Sequence, residues 1–368
     1  MKIVIISDLH LRAKEPLDSV HREWRLEEKL GVLKLAVKET LDQGAMLIIA
    51  GDIFDSREPP EWLKLKFWEV LAPLFQSVHH SIYILLGNHD SNLEHHAFES
   101  SQFLTDSLTQ NIFVISQPEI IMTKLAELFL VPYLTQDRLK QAIEEYLSTI
   151  KTDSRRRILV GHFDLDGAVM GPAQIPIKAK LHPTDLMGFD AVILGHIHKA
   201  QSGNFSNGVW IFIGSPVYQD FGELQDPEKS FVVLEVSEDD LTLTTIPTDV
   251  TPLAELEIQE TDEDLDEEML EQVNHCAIKV VFSGSESFLK STKVVEFRQE
   301  FQAMEAGGKF LKVIFDTKCT DRQLSEATES SSTIEEEMIR LCKERDSEQY
   351  MNIGLELLQE ARNEAAAS

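Results

Sequence analysis

The sequence predicts an α/β protein with a layered core, and two features of its first 200 residues support this prediction. Short, almost continuous apolar runs alternate with longer stretches of helical periodicity. Strands covered on both faces have this apolar character, and their alternation with helices is typical of a sheet between helical layers. Six runs are predicted as strands: IVIIS (3–7), MLIIAGD (46–52), IYILLG (82–87), LFLVPY (128–133), ILVGH (158–162) and AVILGH (191–196).

The segments between these runs are predicted to form helices. Their periodicity places the helices near 23–43, 61–76, 96–109 and 135–150. After residue 200 the pattern changes, because three apolar runs follow one another with only short connections. The runs VWIFIGS (209–215), SFVVLEV (230–236) and LTLTTIP (241–247) therefore predict antiparallel strands.

A change of composition near residues 250–255 predicts a domain boundary, since an acidic run, ETDEDLDEE, follows shortly afterwards. Beyond that run a small α/β unit is predicted, with strands at 277–282 and 310–315 and helices near 286–304 and 321–328. We therefore predict a first domain at 1–250 and a second at 251–328. A Ser-rich linker at 329–332 then leads to a helical, amphipathic segment at 333–368.

The net charge of −29 disfavours general electrostatic binding of nucleic acid. A nucleic-acid role would need a local basic surface, metal ions or a basic partner. No apolar run reaches the roughly 18 residues that a membrane span requires. The three cysteines are widely spaced, as expected for reduced thiols, so we expect a cytoplasmic protein.

Polar clusters follow five of the predicted strands. They are SDLH with Asp8 and His10, AGDIFD with Asp52 and Asp55, GNHD with Asn88, His89 and Asp90, GHFD with His162 and Asp164, and GHIH with His196 and His198. Any one cluster is more often a turn or a hydrogen-bonded core histidine. Because sites in α/β proteins form beyond the carboxyl ends of the strands, five clusters together predict one polar crevice.

The residue types in these clusters favour a metal centre. Asp, His and Asn supply oxygen and nitrogen ligands without a thiolate, which suits manganese, iron, zinc or similar ions rather than a structural zinc. Seven candidate ligands exceed the need of one ion, whereas two ions that share a bridging carboxylate would use them. Paired ions about 3.5–4 Å apart stabilise the attacking and leaving oxygens in phosphoryl displacement.

In this order, the five clusters resemble the five signatures of the calcineurin-like metallophosphoesterases. Four further stretches are similar to the SbcD-type nucleases, the catalytic subunits of a double-strand-break repair complex: AGDIFDSREPP (50–60), VPYL (131–134), GSPVYQDFGE (214–223) and EKSFVVLEV (228–236). The resemblance covers most of residues 1–320. It implies a four-layer α/β/β/α sandwich with a small α/β capping domain, which recognises DNA, and C-terminal helices.

The resemblance also implies a role for each matching residue. One ion would be held by Asp8, His10, Asp52 and His198, and the other by Asp52, Asn88, His162 and His196, with Mn²⁺ as the expected metal. His89 would protonate the leaving oxygen instead of binding metal, and Asp90 would orient it. Asp55 and Asp164 have weaker claims, with turn or capping roles at least as well supported. Arg12 and Lys14 are the residues best placed to meet a DNA backbone.

The function implied is that of a metal-dependent DNA exonuclease and endonuclease that cuts at DNA ends in repair and recombination. The sequence contains no P-loop, so ATP use would come from an SbcC-like ABC-type ATPase, bound by residues 333–368. The alternative for that segment is a helix docked on its own domain. We also expect a homodimer that is nucleoid-associated. Two rival functions are a phosphodiesterase or phosphatase acting on small molecules or phosphoproteins, and a non-enzymatic scaffold, which would typically lack ligands.

Overall fold

The computed structural model of the chain describes residues 1–18, 24–75, 80–92, 95–101, 111–150, 155–226, 228–265 and 267–320. Contacts within the chain define two compact units. The first contains residues 1–254 together with 271–279 and 304–313. The second contains residues 255–270, 280–303 and the described residues from 314 onwards.

Three predicted segments lie outside the described residues. They are the helix at 321–328, the linker at 329–332 and the helical segment at 333–368. The division of the chain into three domains therefore stays a prediction.

The first unit is built on two six-stranded sheets. The strands of this unit are β1 (Lys2–Ile6), β2 (Met46–Ala50), β3 (Ile82–Leu85), β4 (Ile112–Ile115), β5 (Glu119–Met122), β6 (Ala126–Val131), β7 (Arg156–His162), β8 (Val169–Met170), β9 (Ile175–Pro176), β10 (Ala191–Gly195), β11 (Gln201–Phe205), β12 (Gly208–Phe212), β13 (Ser230–Val236) and β14 (Leu241–Pro247). One sheet has the order β14-β13-β1-β2-β3-β4, with β1 to β4 parallel. The other has the order β11-β12-β10-β7-β6-β5, with β6, β7, β10 and β12 parallel.

Helices cover the outer faces of the two sheets. They are α1 (Arg25–Gln43), α2 (Glu61–Phe75) and α3 (Gln136–Thr149). Because successive residues of a strand point to opposite faces, Val4 and Ile6 pack beneath α1 and α2, whereas Ile5 packs against the other sheet. The second sheet presents Leu159 to the layer of α3 and Val160 to the layer between the sheets. The α/β/β/α order of layers is therefore confirmed.

The predicted helix at 96–109 is wrong in its described part. Residues 96–101 contain a single 3₁₀ turn at Glu99–Ser101, and the remainder lies outside the described residues. Strands β4 and β5 were not predicted. Each has only four residues, which is too short for an alternating pattern to separate a strand from a loop.

The described residues between 253 and 319 include a three-stranded sheet with the order β15-β16-β17. The elements of this part of the chain are β15 (Leu253–Gln259), α4 (Glu267–Gln272), β16 (Ala277–Gly284), α5 (Glu286–Leu289), α6 (Thr292–Ala306) and β17 (Lys312–Cys319). The single helix predicted at 286–304 is two helices, and the hydroxyl of Ser285 caps the first by accepting from Phe288 N. Stacked rings of Phe282 and Phe315, 6.0 Å apart, form part of the apolar packing in the second unit.

None of the helices within the described ranges is both long enough and apolar enough to cross a lipid bilayer.

Candidate metal centre

The predicted polar residues come together at the carboxyl ends of parallel strands from both sheets. Three groups have possible ligand atoms within 4.8 Å of one another: Asp8 with His10 and His198, His10 with Asp52 and His89, and Asp52 with His162 and His196. Because His10 and Asp52 each occur in two groups, the three groups form one continuous cluster. The amide of Asn88 joins it, with Oδ1 3.2 Å from His162 Nε2.

Four of the cluster residues adopt the left-handed backbone region, which non-glycine residues rarely occupy. The φ angles are 54° at Asp8, 45° at His10, 51° at Asp52 and 87° at His196. Such conformations cost about 1–3 kcal/mol each and persist only where the surroundings enforce them. Here backbone hydrogen bonds join the loops, since His10 N donates to Asp52 O at 3.0 Å and Asp8 N donates to Gly51 O at 3.0 Å.

Two glycines allow the chain to pass close behind the side chains of Asp52 and His162. A Cβ atom on Gly87 would lie 2.0 Å from Asp52 Oδ1, and one on Gly51 would lie 2.3 Å from His162 Nδ1. No larger residue fits either position while its neighbour stays in place. The Gly-Asp and Gly-Asn steps of the sequence therefore reflect close packing behind the cluster as well as a change of chain direction.

Hydrogen bonds on the far side of the imidazole rings orient them. His162 Nδ1 lies 2.8 Å from Ala50 O, which makes it the protonated nitrogen because a carbonyl can only accept. Its Nε2 then faces the cluster, 3.3 Å from Asp52 Oδ2. His198 Nδ1 is held in the same way by Glu223 Oε1 at 2.7 Å. Metal-binding histidines are typically oriented by such a second hydrogen bond.

The histidine nitrogens that face the cluster lie close to one another and to the Asp52 carboxylate, as the ligands of one metal ion do. His10 Nε2 and His198 Nε2 lie 3.0 Å apart, and His10 Nε2 is 3.6 Å from Asp52 Oδ2. Both His10 and Asp52 are almost completely buried. Buried carboxylates and imidazoles crowded in this way need a compensating charge. The residues of this cluster therefore fit divalent ions bound by oxygen and nitrogen.

The electrostatics of the pair formed by Asp52 and His162 supports the same conclusion. Burial opposes ionisation of Asp52, but His162 and His10 hold the pKa of its carboxyl well below its usual range. Burial likewise disfavours the charged form of His162, yet the Asp52 carboxylate outweighs this and raises the pKa of His162 to about 9. A divalent cation competes with that proton, because only the neutral imidazole binds metal.

The side chain of Asp90 contacts backbone amides of two loops. Its side chain is completely buried, and it accepts hydrogen bonds from Gly87 N at 3.0 Å, Ile53 N at 3.2 Å and Phe54 N at 2.9 Å. Burial, together with the nearby Asp52 charge, raises the pKa of Asp90 to about 7. Among the described residues its side-chain partners are backbone amides, so Asp90 ties two loops together, and its predicted part in orienting His89 stays a prediction.

Asp55 is the acidic residue that lies beside the His89 ring. His89 Nδ1 is 3.3 Å from Asp55 O and 4.0 Å from its Oδ1. The same carboxylate is 2.7 Å from Arg12 Nη2 and 3.5 Å from His10 Nδ1. The sequence left a turn role open for Asp55. In the structure Asp55 contacts His10 and Arg12 through its carboxylate and His89 through its backbone oxygen.

Two further carboxylates contact the cluster histidines. Asp164 Oδ1 lies 3.1 Å from His196 Nε2, which leaves His196 Nδ1 for the cluster, and this contact holds the pKa of Asp164 below its usual value. Glu223 lies inside GSPVYQDFGE and was not singled out as a side chain. The sequence pointed to Asp164 because it lies two residues after the predicted ligand His162, on the same side of an extended segment. No comparable sequence pattern pointed to Glu223.

Of the two residues predicted to contact DNA, Arg12 lies beside the cluster. Arg12 is partly buried and paired with Asp55, whereas Lys14 is exposed. Both line a cavity of about 840 Å³ that also contains Trp62. His89, with a side chain 42% exposed, lines another cavity of about 480 Å³. The part of Arg12 and Lys14 in DNA binding stays a prediction.

Comparison with known proteins agrees with this geometry. The family described as Calcineurin-like phosphoesterase matches residues 1–200. The DNA double-strand break repair protein Mre11 of Methanocaldococcus jannaschii is 23% identical over 302 residues, covering 77% of this chain and 76% of that protein. The SbcD subunit of the nuclease SbcCD of Staphylococcus epidermidis is 25% identical over 304 residues, covering 74% and 76%. That of Staphylococcus saprophyticus is 26% identical over 293 residues, covering 74% and 75%.

The family match spans more than half of the chain and includes all five polar clusters. The fold, the ligand cluster and the match thus agree, and the chain belongs to the calcineurin-like phosphoesterase family.

Proposed function

We propose that this chain is a metal-dependent DNA nuclease that hydrolyses phosphodiester bonds. The observation that carries the proposal is the position of Asp52, which is shared between two groups of nitrogen ligands within one buried cluster. A carboxylate shared in this way suits two ions side by side, the arrangement used for phosphodiester hydrolysis. Relatives named as nucleases and as a DNA repair protein favour DNA as the substrate.

The ligands divide into two sets. We assign one ion to Asp8, His10, Asp52 and His198, and the other to Asp52, Asn88, His162 and His196, with Mn²⁺ as the expected metal. When bound, such ions lower the pKa of an attacking water and stabilise charge on the phosphate. The chain contributes the fixed geometry of the ligands, since outer hydrogen bonds hold the rings of His162, His196 and His198.

His89 is assigned to proton transfer. Metal binding by His89 is also sterically possible, because a ring nitrogen of His89 lies within 4.8 Å of possible ligand atoms of Asp52 and His10. However, its ring is more exposed than the buried ligands and lines a cavity large enough for a nucleotide phosphate. With Nδ1 beside the Asp55 carbonyl, Nε2 is the nitrogen left to protonate a leaving oxygen.

The proposal includes a partner ATPase and a homodimer. Two relatives are named as the SbcD subunit of the nuclease SbcCD, which supports an SbcC-like ABC-type ATPase as partner, bound through residues 333–368. For the homodimer, the support is a pair of exposed apolar side chains on one face of α2, Trp62 at 45% and Leu65 at 59% exposure. We place the complex inside the cell, on the nucleoid, with a capping domain at 251–328.

The decisive experiment is a nuclease assay on linear double-stranded and single-stranded DNA with Mn²⁺, with and without a co-expressed ABC ATPase. The wild type is expected to cleave, and excess chelator to abolish cleavage. His89→Gln is expected to retain Mn²⁺ but to lose cleavage. His182→Gln, which replaces a histidine outside the cluster that is 54% exposed, is the matched control and should cleave normally.

Two outcomes would overturn parts of the proposal. Hydrolysis of bis(p-nitrophenyl) phosphate without cleavage of any DNA would retain the metal centre and exclude the DNA substrate. Cleavage in excess chelator would exclude the metal centre itself.

The assembly has its own tests. Deletion of 333–368 is expected to spare metal-dependent cleavage of simple substrates and to abolish co-purification with the ATPase. Leu65→Asp is expected to halve the mass measured by light scattering, whereas Met122→Asp, at an exposed position on β5, is not. A truncated chain that still binds the ATPase, or a Leu65→Asp dimer, would contradict these assignments.

A further inference from the structure

The segment from Ser215 to Lys229 supports one half of the ligand cluster. Ser215 Oγ and Gln219 Nε2 both donate to Asp8 O, at 3.1 and 3.0 Å, where the backbone has a positive φ. Glu223 Oε1 lies 2.7 Å from His198 Nδ1. One loop therefore contacts two residues of the same proposed ligand set, Asp8 and His198.

Glu223 is itself held by a buried cation. Its second oxygen, Oε2, accepts from Lys229 Nζ at 2.7 Å and from Gln219 N at 3.1 Å. Lys229 is 3% exposed and also lies 3.2 Å from Asp226 Oδ2 and 4.9 Å from the centroid of the Tyr218 ring. Both oxygens of the Glu223 carboxylate thus contact groups of fixed position.

A buried ion pair of this kind adds little to stability by itself. Removing the charges from water costs several kcal/mol per ion, and apolar residues of similar size are often as stable in the same place. The pair formed by Glu223 and Lys229 differs from a purely structural one because the remaining carboxylate oxygen is directed at His198 Nδ1. That nitrogen is on the opposite side of the ring from Nε2, which faces His10.

The second histidine of the H-x-H pair has a separate support. His196 Nε2 lies 3.1 Å from Asp164 Oδ1, and Gln136 Nε2 contacts the other Asp164 oxygen at 3.4 Å. Asp164 follows strand β7, whereas Glu223 ends a 3₁₀ turn, Phe221–Glu223, that precedes β13. Two neighbouring histidines, assigned to different ions, are therefore oriented by carboxylates from different parts of the chain.

We propose that Glu223 is a positioning residue for His198, fixed in place by Lys229, and that it supports the ion of Asp8, His10 and His198 independently of the other ion. The inference rests on the metal assignment of the proposed function. Loss of a carboxylate behind a metal-binding histidine typically lowers metal affinity about 10–100-fold. Glu223→Gln should therefore weaken one Mn²⁺ site by this factor and leave the other unchanged.

The test is titration calorimetry of the full chain with Mn²⁺, followed by electron paramagnetic resonance of the spin-coupled ion pair. The wild type is expected to bind two ions. Glu223→Gln and Lys229→Met should weaken the same binding event, Asp164→Asn should weaken the other, and Glu223→Asp should recover part of the loss. Glu235→Gln, at an exposed glutamate, is the neutral control.

The outcomes separate this inference from the proposed function. A wild type that binds no pair of ions overturns both. A wild type that binds two ions while Glu223→Gln binds both equally well overturns this inference alone. Thermal unfolding in chelator detects a merely structural effect: if Glu223→Gln and Lys229→Met lose affinity only in proportion to a loss of folded protein, the positioning role is excluded.

Discussion

Gly87→Ala is the smallest change that should disturb the metal centre, because it adds one methyl group behind Asp52. The new Cβ would lie 2.0 Å from Asp52 Oδ1 and 2.3 Å from Asp52 N, whereas Cβ atoms essentially never approach other atoms within 3.0 Å. The φ of Gly87 lies outside the left-handed region, so alanine brings no backbone strain of that kind. The substitution therefore tests a steric effect on Asp52, at both its carboxylate and its backbone nitrogen.

The magnitude follows from the displacement that relieves the clash. Asp52 Oδ1 must move by about 1 Å, and a misplacement of that size in a catalytic site costs on the order of 10²-fold in rate. A hundredfold loss corresponds to about 2.7 kcal/mol of transition-state stabilisation. We expect this loss in kcat for a phosphodiester substrate, with weaker Mn²⁺ binding in calorimetry.

The matched control is Gly31→Ala, in the exposed interior of α1. A Cβ there meets nothing within 4 Å, so the substitution should stabilise the fold by about 0.5–1 kcal/mol without affecting metal binding. Thermal unfolding in chelator should show Gly87→Ala still folded. Turnover of Gly87→Ala within twofold of the wild type would refute the argument that Asp52 is confined by close packing.

Three other predictions concern the buried charges. Lys29→Met removes the partner of buried Glu15 and the donor to His10 O, so urea unfolding should show a loss of about 3–5 kcal/mol. Asp90→Asn replaces an acceptor of three backbone N–H groups, which should lower the free energy of unfolding by about 1–3 kcal/mol. The pKa of His162 is raised to about 9, so Mn²⁺ must displace a proton from this ring at pH 7. Mn²⁺ affinity should therefore rise with pH up to about 9. The released proton can be measured from the dependence of the calorimetric binding enthalpy on the buffer.

Each of these predictions has a contrary result. The double variant Lys29→Met with Glu15→Leu should recover much of the stability, and failure to do so would exclude an unpaired charge as the cause. Asp90→Asn as stable as the wild type would exclude the loop-tying role. A binding enthalpy that does not depend on the buffer would show that no proton leaves His162.

The central strands and most of the candidate ligands could be predicted because they follow one simple rule. A strand buried on both faces is a continuous apolar run, so its end is visible in the sequence, as at Gly51 and Gly87. Parallel strands then bring their carboxyl ends to one edge. The short strands β4 and β5 and the 3₁₀ turn at Glu99–Ser101 have no such signal, because tertiary contacts rather than local pattern determine them.

The supporting carboxylates were harder to predict for a related reason. Asp90 adjoins His89 in the sequence, but the turn directs its side chain inward to backbone amides, and Asp55 of another loop reaches His89. Glu223 lies 25 residues after His198, so the contact depends on how two loops pack. Sequence neighbours indicate which residues leave a strand together, but they do not indicate the direction of each side chain in a loop.

The left-handed backbone of the cluster has a consequence for protein engineering. At Asp8, His10, Asp52 and His196, a glycine would adopt the observed φ without strain. Aspartate and histidine are also among the non-glycine residue types that tolerate this region best, so the proposed metal binding and the shape of the loops favour the same residue types. A redesign guided by stability alone would favour glycine at these four positions, and each such change would remove one of the proposed metal ligands.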